Sequence, residues 1–179
     1  MSEQSPAVVF IGAPASGKTR IGKRVAKSLD LPFVDTDARI VAAHGPIPAI
    51  FEQYGEPRFR EFERAEVARA LTERAVVSLG GGAVLDERTQ RDLASVRVVL
   101  LTTSPDAVAT RLDNEKRPLL KDGVDAWVRL VEARRPIYER LATRTWDTSS
   151  RPIQQIADEI AEWVRDGNGA GPTETEENR

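Results

Sequence analysis

Residues 12–19, Gly12-Ala13-Pro14-Ala15-Ser16-Gly17-Lys18-Thr19, constrain this chain more than any other stretch. They follow an apolar run, Ala7-Val8-Val9-Phe10-Ile11, and precede a segment in which Ile21, Val25 and Leu29 recur every four residues. A buried strand, a glycine-rich turn and a helix N-terminus in that order give the pattern G-x-x-x-x-G-K-[ST] its meaning as a phosphate site. The bare pattern also occurs by chance as an ordinary turn, and its flanks decide against that reading here. Gly12 and Gly17 let the backbone curl towards phosphate oxygens. Successive N–H groups then point inward, and the helix end adds positive potential. Lys18 can reach β- and γ-phosphates, and Thr19 can place its hydroxyl on Mg²⁺. Alanine at position 15, where many small-molecule kinases carry another glycine, is expected to be tolerable only if that residue does not need positive φ.

The rest of the chain alternates strands and helices. Leu31-Pro32-Phe33-Val34 reads as a second strand, ending in Asp35-Thr36-Asp37. Two acids at a strand's carboxyl end lie beside the phosphate loop in an open α/β fold. Equally, either Asp35 or Thr36 is a good N-cap for a helix beginning near Ala38, and both readings stand. His44-Gly45-Pro46-Ile47-Pro48 is expected to be a loop with an exposed His44, followed by a short helix with Ile50, Phe51 and Tyr54. Gly55-Glu56-Pro57 should break it before a charged helix from Arg58 to Arg74. There Arg60 and Glu63 share a face, either as a surface ion pair of little worth or as part of a site. Ala75–Leu79 is a third strand, and Gly80-Gly81-Gly82 at its end suits a place where a ligand meets the backbone. Asp86–Ala94 is helical, Val96–Leu101 is a very apolar strand, and Ser104-Pro105 caps and opens the next helix. Asp113–Gly123 is a polar loop containing Arg117, either a lid or a surface loop without a role. Val124–Leu141 is helical, and Pro136 should kink or divide it after Arg135. Arg134 and Arg135 form either a solvated face or an anion clamp. Thr145-Trp146-Asp147 is a last strand, and Pro152 opens a final helix with Ile153, Ile156, Ile160 and Trp163 inward.

The implied fold is α/β: a three-layer sandwich with a five-stranded parallel sheet and helices on both faces, of P-loop type, with the 113–123 loop as its candidate mobile lid. One domain is expected over residues 1–166, with a disordered acidic tail at 167–179. The formal net charge of −2 argues against nucleic-acid binding by bulk attraction. With no cysteine and one histidine, disulfides, thiolate chemistry and Cys/His metal sites are excluded. No apolar run reaches the length of a membrane span, and the first residues carry no signal-like core, so a cytoplasmic protein is expected, and a monomer because no conspicuous apolar heptad or patch argues for a dimer.

Six blocks in order resemble the shikimate kinase family: Gly12–Thr19, Asp35-Thr36-Asp37, Phe59-Arg60-Glu61-Phe62-Glu63, Ser78-Leu79-Gly80-Gly81-Gly82-Ala83, Arg117-Pro118-Leu119-Leu120 and Arg134-Arg135-Pro136-Ile137-Tyr138. The resemblance runs from about residue 7 to residue 165. It implies ATP- and Mg²⁺-dependent phosphorylation of the 3-hydroxyl of shikimate in aromatic amino-acid synthesis, with ATP as co-substrate and one Mg²⁺ per ATP. It implies that Lys18, Asp37 and Arg117 are catalytic. Asp37, Arg60, Arg134, Gly81 and Gly82 would bind shikimate within a substrate-binding part at about 35–62, with Ile47, Phe51 and Phe59 as its apolar wall. ATP would meet Gly12, Ala13, Pro14, Ala15, Ser16, Gly17, Lys18 and Thr19, Arg117 on a lid at about 112–124, and Arg151. Mg²⁺ would sit on Thr19 and, through water, Asp35. Arg111 is the candidate for stacking on adenine. Rival readings are a gluconate kinase-like enzyme, a GTPase switch, against which the missing Asn-Lys-x-Asp signature counts, and a nucleotide-binding protein without catalysis.

Overall fold

The computed structural model describes residues 4–114 and 123–167. In chain order the elements are β1 (Val8–Ile11), α1 (Lys18–Leu29), β2 (Phe33–Asp35), α2 (Thr36–His44), α3 (Ile47–Tyr54), α4 (Glu56–Ala70), β3 (Val76–Ser78), α5 (Glu87–Leu93), β4 (Val98–Thr102), α6 (Pro105–Asn114), α7 (Gly123–Leu141), β5 (Arg144–Asp147) and α8 (Ile153–Arg165). The five strands form one parallel sheet in the order β2-β3-β1-β4-β5.

Alternation along the central strands divides the core into two layers. Val8 and Phe10 of β1, with Val99 and Leu101 of β4, pack against Ile21 and Val25 of α1 and Ile156 and Ile160 of α8. Val9 and Ile11, with Val98 and Leu100, face Val67 of α4, Leu93 of α5 and Tyr138 of α7. The period of two in a strand puts successive side chains on opposite faces, and helices cover both. Each such apolar side chain contributes about 1.5–3 kcal/mol on burial. The chain leaves β1 for β2 on one side of the sheet and crosses from β3 to β4 on the other. The crevice outside the carboxyl ends of β1 and β3 is therefore where a ligand fits.

Three local expectations change. The stretch from His44 to Pro48 is largely helical: α2 runs to His44 and α3 starts at Ile47, with Pro48 in its first turn where a missing N–H costs nothing. Single glycines at positive φ, Gly45 (90°) and Gly55 (81°), end α2 and α3. The break at Gly55-Glu56-Pro57 is one residue wide, because α4 begins at Glu56 with Pro57 in its first turn. Pro136 does not divide α7, which continues to Leu141. Burial of Trp127 before it and of Tyr138 after it outweighs the lost backbone hydrogen bond. Helices α2, α3 and α4 enclose a small apolar cluster of their own, Ile40, Ile50 and Phe59, backed by Ile47 and Phe62. Among the described residues, no helix is long and apolar enough to cross a membrane.

Asp86 caps α5 by accepting from Arg88 N and Thr89 N, and it pairs with the Arg88 side chain at 2.7 Å. The Arg88 contact, helped by these amides, lowers its carboxyl pKa to about 2. Its stabilisation is thus present above the ordinary carboxylate value and is lost as pH falls towards about 2. Asp86→Ala is expected to cost about 1 kcal/mol at pH 7. Urea unfolding at pH 7 and in acid checks this, because the gap between variant and parent must close in acid.

Candidate active site

The phosphate loop follows β1 as expected. A side chain at Gly12 (φ 145°) would put its Cβ 2.5 Å from the Leu101 carbonyl, so only glycine lets the loop pass β4. Gly17 (φ 97°) leads into α1. Its first turn leaves backbone N–H groups without intrahelical acceptors, and these are the groups that hold an anion. Ala15 departs from expectation, since its φ is 64°, in the left-handed region. That conformation costs an alanine about 1–2 kcal/mol. Its methyl packs against the cluster of Ala13, Val108 and Trp127, which offsets part of the cost. Lys18 Nζ donates to Gly12 O at 2.7 Å and Ala13 O at 2.9 Å, which folds it over the loop.

Asp35 does both jobs open to it. Its Oδ1 accepts from Ala38 N and caps α2, while its Oδ2 accepts from the Thr19 hydroxyl at 3.2 Å. Two hard oxygens beside a phosphate loop suit Mg²⁺, which keeps several water ligands and takes others from phosphate. No cluster of three or more acidic, His or Cys side chains forms a metal cage among the described residues. The donor set therefore fits an ion that arrives with the nucleotide. A cavity of about 220 Å³ opens here, lined by Pro14–Thr19, Asp35, Asp37, Gly80, Gly81 and Arg111.

Beyond it, the three glycines carry charged side chains against their backbone. A Cβ on Gly80 would lie 2.5 Å from Asp37 Oδ1. One on Gly81 would lie 3.4 Å from an Arg134 nitrogen, and one on Gly82 would lie 2.5 Å from Arg60 Nη1. The glycines thus make room for the site's own side chains, not for a ligand alone. Asp37 Oδ1 is buried without a hydrogen-bond partner, an arrangement that costs about 1–3 kcal/mol and points to an absent donor. Burial, then the neighbouring Asp35 carboxylate, raises the Asp37 pKa, and Lys18 and Arg60 counter only part of this.

Glu63 is 4% exposed and accepts from Arg60 Nη1 at 2.7 Å, so the surface-pair reading of these two residues is overturned. Burial raises the Glu63 pKa against the pull of Arg60. The Tyr138 hydroxyl, one helical turn beyond Arg134, donates to Gly81 O at 2.6 Å. Phe59 is buried behind Arg60, and Phe51 is 37% exposed with its ring 4.9 Å from that of Phe59. Ile47 packs behind them.

Arg111 and Arg151, both expected near the nucleotide, have protein partners. The Arg111 guanidinium lines the cavity and donates along its edge to Ala15 O (2.6 Å) and Thr148 O (2.5 Å), so it braces the loop. Arg151 pairs with Glu159 and does not line the cavity. Arg117 lies outside the described residues, as does most of the expected lid. The residues not singled out from sequence are Trp127 and Thr148, which contact the loop, and Tyr138 in its role at Gly81. Their signal lies in tertiary placement, since an isolated Trp or Thr in an amphipathic helix or after a strand reads as core or turn.

The parallel sheet, phosphate loop and adjoining acceptor cleft define a small P-loop kinase. The family model described as shikimate kinase matches residues 14–165. The shikimate kinase of Corynebacterium efficiens is 41% identical over 165 residues, which is 90% of this chain and 98% of that protein. That of Salinispora tropica is 45% identical over 161 residues, 88% of this chain and 96% of that protein. The solved shikimate kinase from Acinetobacter baumannii, in complex with shikimate, superposes with a TM-score of 0.84 at 28% identity, covering 92% of this chain and 95% of that one. The chain belongs to the shikimate kinase family. A gluconokinase from Sinorhizobium meliloti, 18% identical with a TM-score of 0.64, shares the fold.

Asp37 gives a prediction with a definite sign. The folded chain binds its proton more tightly than the unfolded chain, so ionisation weakens the fold as pH rises from the ordinary carboxylate value through the raised one. Asp37→Asn is expected to raise the melting temperature at pH 7 by about 2–4 °C. The gain should shrink in acid. Thermal unfolding across pH checks both.

Proposed function

We propose that the chain transfers the γ-phosphoryl group of ATP to the 3-hydroxyl of shikimate, giving shikimate 3-phosphate and ADP, and so serves aromatic amino-acid synthesis. One observation carries this reading: the partnerless Asp37 Oδ1 sits between the phosphate loop and two arginines that a triple glycine admits to the cleft. A small carboxylate ringed with hydroxyls matches that arrangement. Arg60 and Arg134 offer planar paired donors to its carboxylate. Asp37 Oδ1 accepts from the hydroxyl beside the phosphate loop. Phe51, Phe59 and Ile47 give the ring an apolar wall.

Residues Gly12–Thr19 hold the ATP phosphates with backbone N–H groups. Lys18 exchanges its two loop carbonyls for β- and γ-oxygens. Thr19, and Asp35 through water, would hold Mg²⁺, which when bound neutralises charge on those oxygens. The acceptor oxygen then forms its bond to the γ-phosphorus as the bond from that phosphorus to the β–γ bridging oxygen breaks. The hydroxyl proton passes to Asp37 and on to solvent. Positioning and charge neutralisation supply most of the acceleration in such transfers, and Asp37, with its raised proton affinity, is the acceptor group already in place. Arg117 joins on the strength of the family resemblance, as a cation for the transferring phosphoryl group.

Coupled ADP release measured with ATP and Mg²⁺, and with shikimate, gluconate or no acceptor, tests the reading. Release is expected only with shikimate. Release with gluconate alone, or without acceptor, overturns it. Arg60→Lys keeps the charge that Glu63 needs but loses the planar fork. It should raise the shikimate KM about 30-fold, equivalent to about 2 kcal/mol, with ATP affinity within about twofold of the parent. Gly82→Ala should act in the same direction by pushing Arg60 aside. Equal losses for both substrates in steady-state kinetics would refute this division of roles.

A further inference from the structure

Every carbonyl of the phosphate loop from Gly12 to Gly17 has a donor. Lys18 takes Gly12 O and Ala13 O, and Ile21 N takes Gly17 O as α1 begins. The three between are held by side chains from three separate elements. Trp127 Nε1, on α7, donates to Pro14 O at 2.8 Å. Arg111 Nη1, on α6, donates to Ala15 O at 2.6 Å. Thr148 Oγ1, just past β5, donates to Ser16 O at 2.8 Å. These anchors support one another, because Arg111 Nη2 also donates to Thr148 O at 2.5 Å. Trp127 and Thr148 are 3% and 4% exposed, so neither swings freely.

A phosphate cradle works only while N–H groups face the anion and C=O groups face away. A flip of one peptide reverses both and sets a carbonyl oxygen against phosphate. Ala15 at φ 64° stands where a flip would relieve backbone strain. Without partners for the adjoining carbonyls, the relaxed loop is the unproductive one.

We propose that Trp127, Arg111 and Thr148 are positioning residues for nucleotide: they hold the Pro14, Ala15 and Ser16 carbonyls away from the phosphates and keep Ala15 left-handed before nucleotide arrives. This rests on the reading of residues 12–19 as the ATP phosphate site. It assigns α6 and α7 a part in phosphate affinity that none of their other contacts requires.

Trp127→Phe keeps an aromatic ring in the cluster with Ala13 and Val108 while removing one donor, and Thr148→Val keeps shape while removing another. Binding of ADP, tripolyphosphate and adenosine to the full chain is measured by calorimetry, with adenosine followed by competition and no acceptor present. Each variant should weaken ADP and tripolyphosphate about tenfold and leave adenosine within about twofold. A structural defect would lower all three together, and a dispensable contact would lower none. Either pattern overturns the proposal, and the two variants come from different elements, so failure of one to fold leaves the other decisive. Absence of ADP binding by the parent chain would instead remove the nucleotide reading itself.

Discussion

Asp37, Arg60 and Arg134 meet because residues 80–82 carry no side chains. A Cβ at residue 80 or 82 would collide with Asp37 or Arg60, and one at residue 81 would press on Pro14 beside Arg134, so the acceptor end of the cleft exists only at the width of bare backbone. The rest of the structure serves that contact. β3 delivers the glycines to the sheet's carboxyl edge, α2 delivers Asp37, and α4 and α7 deliver the two arginines. The sheet order sets β3 beside β1, so the same glycines lie within reach of the phosphate loop, where Gly81 faces Pro14.

Concentrating charge at one place has a stability cost, and its distribution is uneven. Arg60 has the buried carboxylate of Glu63, and Arg39 of α2 has Glu73, three residues past the end of α4, at 2.6 Å. Asp37 keeps a buried oxygen without a donor inside the cleft, while among the described residues Glu66 Oε2 is a second such carboxylate oxygen. A charged, incompletely paired group is what a fold tuned only for stability would remove. The position of Asp37 at the junction of the two halves of the cleft supports its proposed role at the acceptor hydroxyl.

Much of this was legible from sequence. Val8 and Phe10 alternate with Val9 and Ile11, and Ser104-Pro105 announces a helix start, because period and capping are local. The phosphate loop was legible because its neighbours in sequence are its neighbours in space. The misses share the opposite property. Glu63, three residues from Arg60, has the spacing of a surface pair; Gly82, approaching from another element, helps close it in. Ala15 takes a left-handed φ because α6 and α7, nearly a hundred residues or more away, grip its surroundings. Pro136 is a helix breaker by local rule, and the burial of residues on both sides of it decides otherwise.

The separate apolar cluster under α2, α3 and α4 has a consequence for how such chains diversify. Ile40, Ile50 and Phe59 do not belong to either layer that packs the sheet. Changes in that cluster are therefore close to additive with changes in the main core. The cleft wall it supports can drift in shape and polarity while the strands and phosphate loop stay as they are. A fold partitioned in this way can reshape one wall of its cleft without repacking the sheet that carries the phosphate loop.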